Sequence, residues 1–118
     1  MAEVVDVQAE TIGVGSVIAF ALYGYGIFIN QTIFGLEATT LAMWVFAGTF
    51  AAVALLHGAY GRRPFALAHG GAAVGLSVFL LATDGFQALV GLLVLMGSGI
   101  TIAVLTIRAG NERESAAT

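Results

Sequence analysis

Cysteine and lysine are both absent from this 118-residue chain, and proline occurs once. Without cysteine there are no disulfides, thiolate metal sites, redox thiols or cysteine nucleophiles. Charge is almost as scarce. Four arginines and seven acidic residues make up 9% of the chain, against about 25% in an ordinary soluble domain. A chain this short has a large surface for its volume and needs polar atoms to cover it in water. Four cations cannot form the basic patch that nucleic acid requires. A hydrophobic fraction of 59% likewise excludes a disordered segment. What is abundant is apolar surface, with a mean hydropathy of +0.99, and its natural solvent is lipid.

Turn formers and the few charges divide the chain into four apolar runs: Thr11 to Ile33, Thr39 to Tyr60, Pro64 to Thr83 and Phe86 to Ile107. Each is about 20 residues long, enough to cross a hydrocarbon core of about 30 Å as a helix. Lipid offers the backbone no hydrogen-bond partners, so each run must satisfy its own. A β-barrel would need alternating polarity, which Ala88-Leu89-Val90-Gly91-Leu92-Leu93-Val94-Leu95 lacks. The sequence predicts an all-α, four-helix transmembrane bundle of two antiparallel hairpins, one domain, with short polar tails at 1–10 and 108–118. Gly61-Arg62-Arg63-Pro64 reads as a tight turn, with proline at the start of a helix. Asp84 with Gln87 three residues on reads as a capping-box-like start to the fourth helix. Phe34, Gly35 and Leu36, in the longer first connection, are expected at the interface. The first run lacks the basic flank and cleavage site of a signal peptide and is read as a retained helix.

Four spans put both termini and the Arg62-Arg63 turn on one face. Arg62, Arg63, Arg108 and Arg113 then lie together, against Glu37 and Asp84 opposite. The positive-inside rule makes the arginine face, and hence both termini, cytoplasmic in a cell membrane. A 50-residue shift aligns Gly35-Leu36-Glu37-Ala38 with Gly85-Phe86-Gln87-Ala88 and Arg63 with Arg113. In so apolar a composition this reads as low-complexity sequence resembling itself rather than as a duplication.

Helices in lipid associate where small residues let backbones approach. Ala47, Ala51, Ala54 and Gly58 are spaced to form one face of the second helix, and Gly71 and Gly75 form a GxxxG pair in the third. That pair serves packing either within the chain or between copies.

The polar residues near mid-depth are Ser16, Thr49, Ser77, Ser98 and Thr101, with no ionisable group among them. Such hydroxyls ordinarily bond back to their own helix or to a neighbour. Ionisable groups at that depth mark proton relays and ion-coupled transport. In length and span number the chain is similar to the small four-helix multidrug transporters. That family depends on a membrane-embedded Glu in its first helix, whereas Glu10 is expected before the span. Two histidines are the sharper candidates. His57 lies five residues before Arg62, and His69 six residues after Arg63. In a hairpin both fall about 7 to 9 Å inside the interface by helix rise, with Glu10 near the same level. Two imidazoles there could ligate a b-type haem axially, walled by Phe46, Phe50 and Val53, or share a metal. Each could equally bond a backbone carbonyl or water.

Asn30, Gln31 and Glu37, and opposite them Asp84 and Gln87, read as helix caps and loop residues rather than as a pore mouth. The arginines could hold anionic headgroups, although topology already accounts for them. No nucleophile set, phosphate-binding glycine loop or carboxylate pair can be assembled, so no enzymatic activity is expected. The leading expectation is a non-catalytic accessory, anchor or structural subunit that meets lipid, copies of itself or a larger membrane partner. The rivals are a homo-oligomeric pore or carrier for small solutes and a haem-bearing electron-transfer anchor using His57 and His69.

Overall fold

The computed structural model describes the backbone of residues 2–117 and the side chains of residues 7–117. The protein is an all-α bundle of four helices: α1 (Ala2–Phe28), α2 (Ala38–Ala59), α3 (Arg63–Leu81) and α4 (Gly85–Ala117). A small hairpin of β1 (Thr32–Ile33) and β2 (Leu36–Glu37) stands between α1 and α2. All four helices are long and apolar enough to cross a membrane.

Three boundaries differ from the sequence expectation by more than two residues, the two at the ends of the chain and the second end of α1. Helix α1 does not begin at Thr11. Its hydroxyl donates to the Val7 carbonyl at 2.8 Å, so this expected start lies inside a helix that already contains the turn before it. Glu10 therefore lies within helix α1 rather than ahead of it. The carboxylates of Glu3 and Asp6 lie outside the described side chains. At the other end, Arg108 to Ala117 continues α4 instead of forming a loose tail. Gly110 alone does not stop a helix whose neighbours are good helix formers. The extension reaches about 15 Å past the apolar run.

Helix α1 also stops five residues short of Ile33. The Asn30 side-chain carbonyl accepts from the Thr32 N–H at 3.2 Å, turning the chain out of the helix. Thr32 then pairs with Glu37, and Ile33 with Leu36. The Ala38 N–H donates to the Gln31 carbonyl at 2.8 Å and extends the ladder by one rung. Phe34 and Gly35 make the turn with φ of 52° and 81°, both positive as a two-residue hairpin requires. The connection thereby satisfies its backbone internally, and the Phe34 side chain is fully exposed at its tip.

The other turns follow their sequence signals closely. Helix α2 ends in a Schellman arrangement, with Arg62 N–H on the His57 carbonyl at 2.8 Å and Gly61 N–H on the Gly58 carbonyl at 3.1 Å. Gly61 takes the left-handed φ of 77° that this motif needs. Pro64 sits in the first turn of α3. At α4 the Asp84 carboxylate accepts from the Gln87 N–H at 2.8 Å, and Gln87 Oε1 accepts from the Thr83 N–H at 3.0 Å. Two otherwise unsatisfied donors are thus capped.

The helices lie in a row, α1 on α2, α2 on α3 and α3 on α4, with no other helix pair packed to a comparable extent among the described residues. The edges of the row do not close on each other, as they would in a compact four-helix barrel of helices. The inner helix α3 has 33% of its most apolar stretch buried, whereas α4, at an edge, has 6%. In α1 the buried stripe is Gln8, Gly15, Ala19 and Gly26. A Cβ on Gly15 would collide with the Thr49 side chain, and one on Gly26 would lie 2.9 Å from the Ala38 Cβ. These contacts fix the register: as α1 advances, its partner residue on α2 moves back.

The expected packing face of α2 is divided. Ala47 is buried and Ala54 meets Gly70, but Ala51 and Gly58 are exposed. The reason is that α2 is flanked on both sides, so it buries two stripes rather than one. Gly71 and Gly75 of α3 face α4 of the same chain. A Cβ on Gly71 would strike Ser98, and one on Gly75 would lie 2.5 Å from the Leu95 nitrogen and 2.9 Å from the Gly91 carbonyl oxygen.

Candidate functional site

The polar side chains at depth divide into those that close on their own helix and those that do not. Thr49 donates to the Val45 carbonyl at 2.7 Å, Ser77 to Ala73 at 2.7 Å and Thr101 to Gly97 at 2.8 Å. These hydroxyls are already satisfied. Outside the helices, Thr40 donates to the Glu37 carboxylate at 3.1 Å, and Asp84 and Gln87 are engaged in the α4 cap. Gln31 and Glu37 border an open recess of about 410 Å³ with Gly26, Ile27 and Thr39. Glu10 lines a shallow groove along α1 and α2 of about 470 Å³, together with Gly15, Val45 and Thr49.

The buried polar side chains gather at the arginine end of the bundle. His57 stands in the last turn of α2 and His69 early in α3, so the Gly61-Arg62 turn folds one back beside the other. Their ring centroids are 5.0 Å apart, with the planes inclined by 33°. His57 also stacks on Phe65 at 5.0 Å, and Phe50 approaches His69 at 6.4 Å. Phe65 and His69 are four residues apart and therefore share a face of α3. The two histidines are only 5% and 7% exposed.

Their hydrogen bonding is asymmetric. His69 Nδ1 lies 2.8 Å from the Phe65 carbonyl oxygen. A carbonyl only accepts, so this nitrogen carries the proton and leaves the Nε2 lone pair free. His57 Nδ1 is buried and has no partner. Among the described residues, Gln8 Nε2 is the other buried side-chain atom without a partner. Its residue is 7% exposed. The α1–α2 register, Gly15 on Thr49 and Gly26 on Ala38, brings Gln8 level with Leu56 and His57. Three buried polar residues thus share one depth. Gln8 escaped the sequence reading because it lay ahead of the expected first span. The signal was its place on the stripe continued by Gly15, Ala19 and Gly26.

The residues expected to wall a porphyrin are dispersed. Phe46 packs edge-on against Phe20 of α1 at 5.9 Å, Phe50 lies beside His69, and Val53 is fully buried. Axial ligation would need a porphyrin between the imidazoles. Yet α2 and α3 meet on either side of the pair: a Cβ on Gly70 would lie 3.9 Å from Ala54, and one on Gly58 would lie 3.8 Å from Ala66. A porphyrin between the imidazoles would require the helices to part. Among the described residues no group of three or more His, Asp or Glu is placed to hold a metal ion.

Fold and side chains together define a small multi-pass helical membrane protein in which, among the described residues, no cluster of catalytic residues is gathered. Comparison with protein-family models, with curated proteins and with solved structures gives no match for this chain.

Proposed function

We propose that the chain is a non-catalytic subunit of the cell membrane, two helical hairpins with both termini on the cytoplasmic side, that docks through the edges of its helix row on copies of itself or on a larger membrane partner. The observation that carries this reading is the open row. Helix α4 buries Gly91 alone, and Cβ atoms on its Gly97 and Gly99 would meet nothing within 4 Å. Close backbone approach at such residues is what lets helices associate in lipid, where the hydrophobic effect supplies little drive. The four arginines support the orientation. A pore built from copies of this chain is the rival use of the same edges, with hydroxyls and glycine backbone as its lining.

The test is gentle extraction from the native membrane, with identification of every protein that comes with the chain, alongside solute flux in liposomes holding the chain alone. Stoichiometric companions and silent liposomes support the subunit reading. Flux from the chain alone favours the pore. For orientation, cysteine introduced by Ala116→Cys into this cysteine-free chain should react with a membrane-impermeant maleimide in inside-out vesicles and not in intact cells.

A further inference from the structure

We propose that Arg63 and Arg108 hold the phosphate of one anionic phospholipid at the arginine end of the α3–α4 seam, with its acyl chains lying along that seam. The inference stands apart from the subunit reading and does not depend on it. The positive-inside rule accounts for the side of the membrane these residues occupy; it does not account for their meeting. The seam contacts set the register: a Cβ on Gly71 would strike Ser98, and one on Gly75 would meet Leu95 and Gly91. Eight residues before Gly71 is Arg63, and eight after Ser98 is Thr106. Arg63 and Arg108, on helices joined at the far end, therefore differ in height by about 3 Å. Counted by helix turn, each position also lies roughly 100° of rotation from the line of contact between the helices. Because α3 and α4 run in opposite senses, those rotations carry both positions to the same side of the row.

The surroundings select the ligand. Both arginines are exposed, and among the described residues no carboxylate pairs with either of them or with Arg62 in the adjoining turn. Glu112 and Glu114 stand a turn or more beyond Arg108, about 6 Å or more further from the apolar run by helix rise. Glu10 belongs to α1, at the opposite edge of the row. A phosphate at this level meets guanidinium forks, whose planar donors match its oxygens. The start of α3 adds to them: Arg62 at the N-cap makes no side-chain cap, which leaves helix N–H groups turned toward the same end. Basic sites between transmembrane helices are of the kind that take acidic headgroups. Beyond the arginines, toward mid-membrane, the same side of the seam is apolar and open. Leu67 and Val74, on the face of Arg63, are 77% and 59% exposed; Val94 and Val104, on that of Arg108, are 40% and 41% exposed. A free phosphate makes no use of that surface, whereas a diacyl lipid covers it.

The experiment is native mass spectrometry of the purified protein in an uncharged detergent, titrated with dioleoyl phosphatidylglycerol or dioleoyl phosphatidylcholine. It compares the wild type with Arg63→Gln, Arg108→Gln and the double variant. Detergent removes membrane orientation from the comparison, and circular dichroism establishes that each variant is folded. Arg113→Gln, further along α4, is the control for loss of charge alone. One phosphatidylglycerol per chain is expected, bound about tenfold or more tightly than phosphatidylcholine. Each single variant should weaken it about fivefold and the double variant about 30-fold, the scale set by one basic residue at a lipid surface. Arg113→Gln should stay within about twofold of the wild type, and inorganic phosphate at the concentration of the lipid should not displace it. Equal retention of the two lipids would overturn the proposal, as would a double variant that binds like the wild type or an Arg113→Gln that loses as much. Displacement by inorganic phosphate would overturn it too, leaving an anion site that takes no lipid.

Discussion

Towards α4, helix α3 presents Gly71 and Gly75; towards α2, it presents Phe65, His69 and Gly70. The first seam is made by backbone. Gly75 and Gly91 answer each other so closely that a Cβ on Gly91 would lie 2.5 Å from the Phe79 nitrogen and 2.8 Å from the Gly75 carbonyl oxygen. The second seam is made by side chains. Its glycines sit at ordinary van der Waals distance from Ala54 and Ala66, and imidazole and phenyl rings fill the space between the helices. A backbone seam has one admissible spacing and no cavity. A side-chain seam tolerates small changes and can retain polar atoms with nothing to bond. Within one helix, the α4 side is built for rigidity, and the α2 side is where chemistry can occur.

The largest expected effect is on the backbone seam. Gly75→Leu drives a branched side chain into Leu95 and the Gly91 carbonyl, where no flexible neighbour can yield. Overpacking of this kind costs about 3 kcal/mol, the upper end of its usual range, and α4 should detach. Cleavage by added protease between α3 and α4, at Ala82 to Gly85, should accelerate markedly over the wild type in the same detergent. Gly91→Leu should behave alike, because it meets the same contact from the other side.

A smaller effect of opposite sign is expected at the side-chain seam. His57→Phe keeps the ring stacked on Phe65 and removes a buried nitrogen that has no partner. An unsatisfied buried polar group costs about 1–3 kcal/mol, so the variant should resist denaturant better than the wild type by about 1 kcal/mol. Unchanged or lower stability would mean that His57 Nδ1 is satisfied in solution.

The cap of α4 comes next. Asp84→Ala removes the acceptor for the Gln87 N–H and should cost about 1 kcal/mol, read by the same denaturant titration. Because Asp84 holds only the start of α4, the loss should add to that of a seam variant rather than multiply it. The smallest effect distinguishes the seams most sharply. Gly70→Ala places a methyl at 3.9 Å from the Ala54 Cβ, an ordinary contact, and relieves the entropy of a helical glycine. It should stabilise by about 0.5 kcal/mol, whereas Gly75→Ala, one turn and a residue further on, should destabilise.

Much of this architecture was legible from residue order. Gly61, Pro64 and Asp84 act through backbone conformation and capping, which are local, so the ends of α2 and α3 fall within two residues of the expected positions. The depth of the histidines was equally accessible, since it needs only a count of residues on either side of Arg62 and Arg63. The outer ends of α1 and α4 were not, because charge was read as the end of a helix when it marks only the end of the apolar segment. A helix has no reason to stop at the membrane surface if its next residues are helix formers, and most of 108–117 are. That error also hid Gln8. The Phe34-Gly35 turn was illegible for a different reason: a positive φ at phenylalanine is imposed by the pairing of Thr32 with Glu37. The contact of the two rings, and the Phe65 carbonyl that orients His69, depend on rotamers and interhelix spacing that no local pattern encodes.

The central claim is that the row is an incomplete surface, finished by other helices in the membrane. The most direct measurement is the native mass of the particle extracted in mild detergent, with lipid and detergent removed in the gas phase. The account predicts a mass containing more than one protein chain, either multiples of 12.1 kDa or that mass added to a defined partner. A monodisperse single chain, unchanged across protein concentration and across detergents, would contradict it.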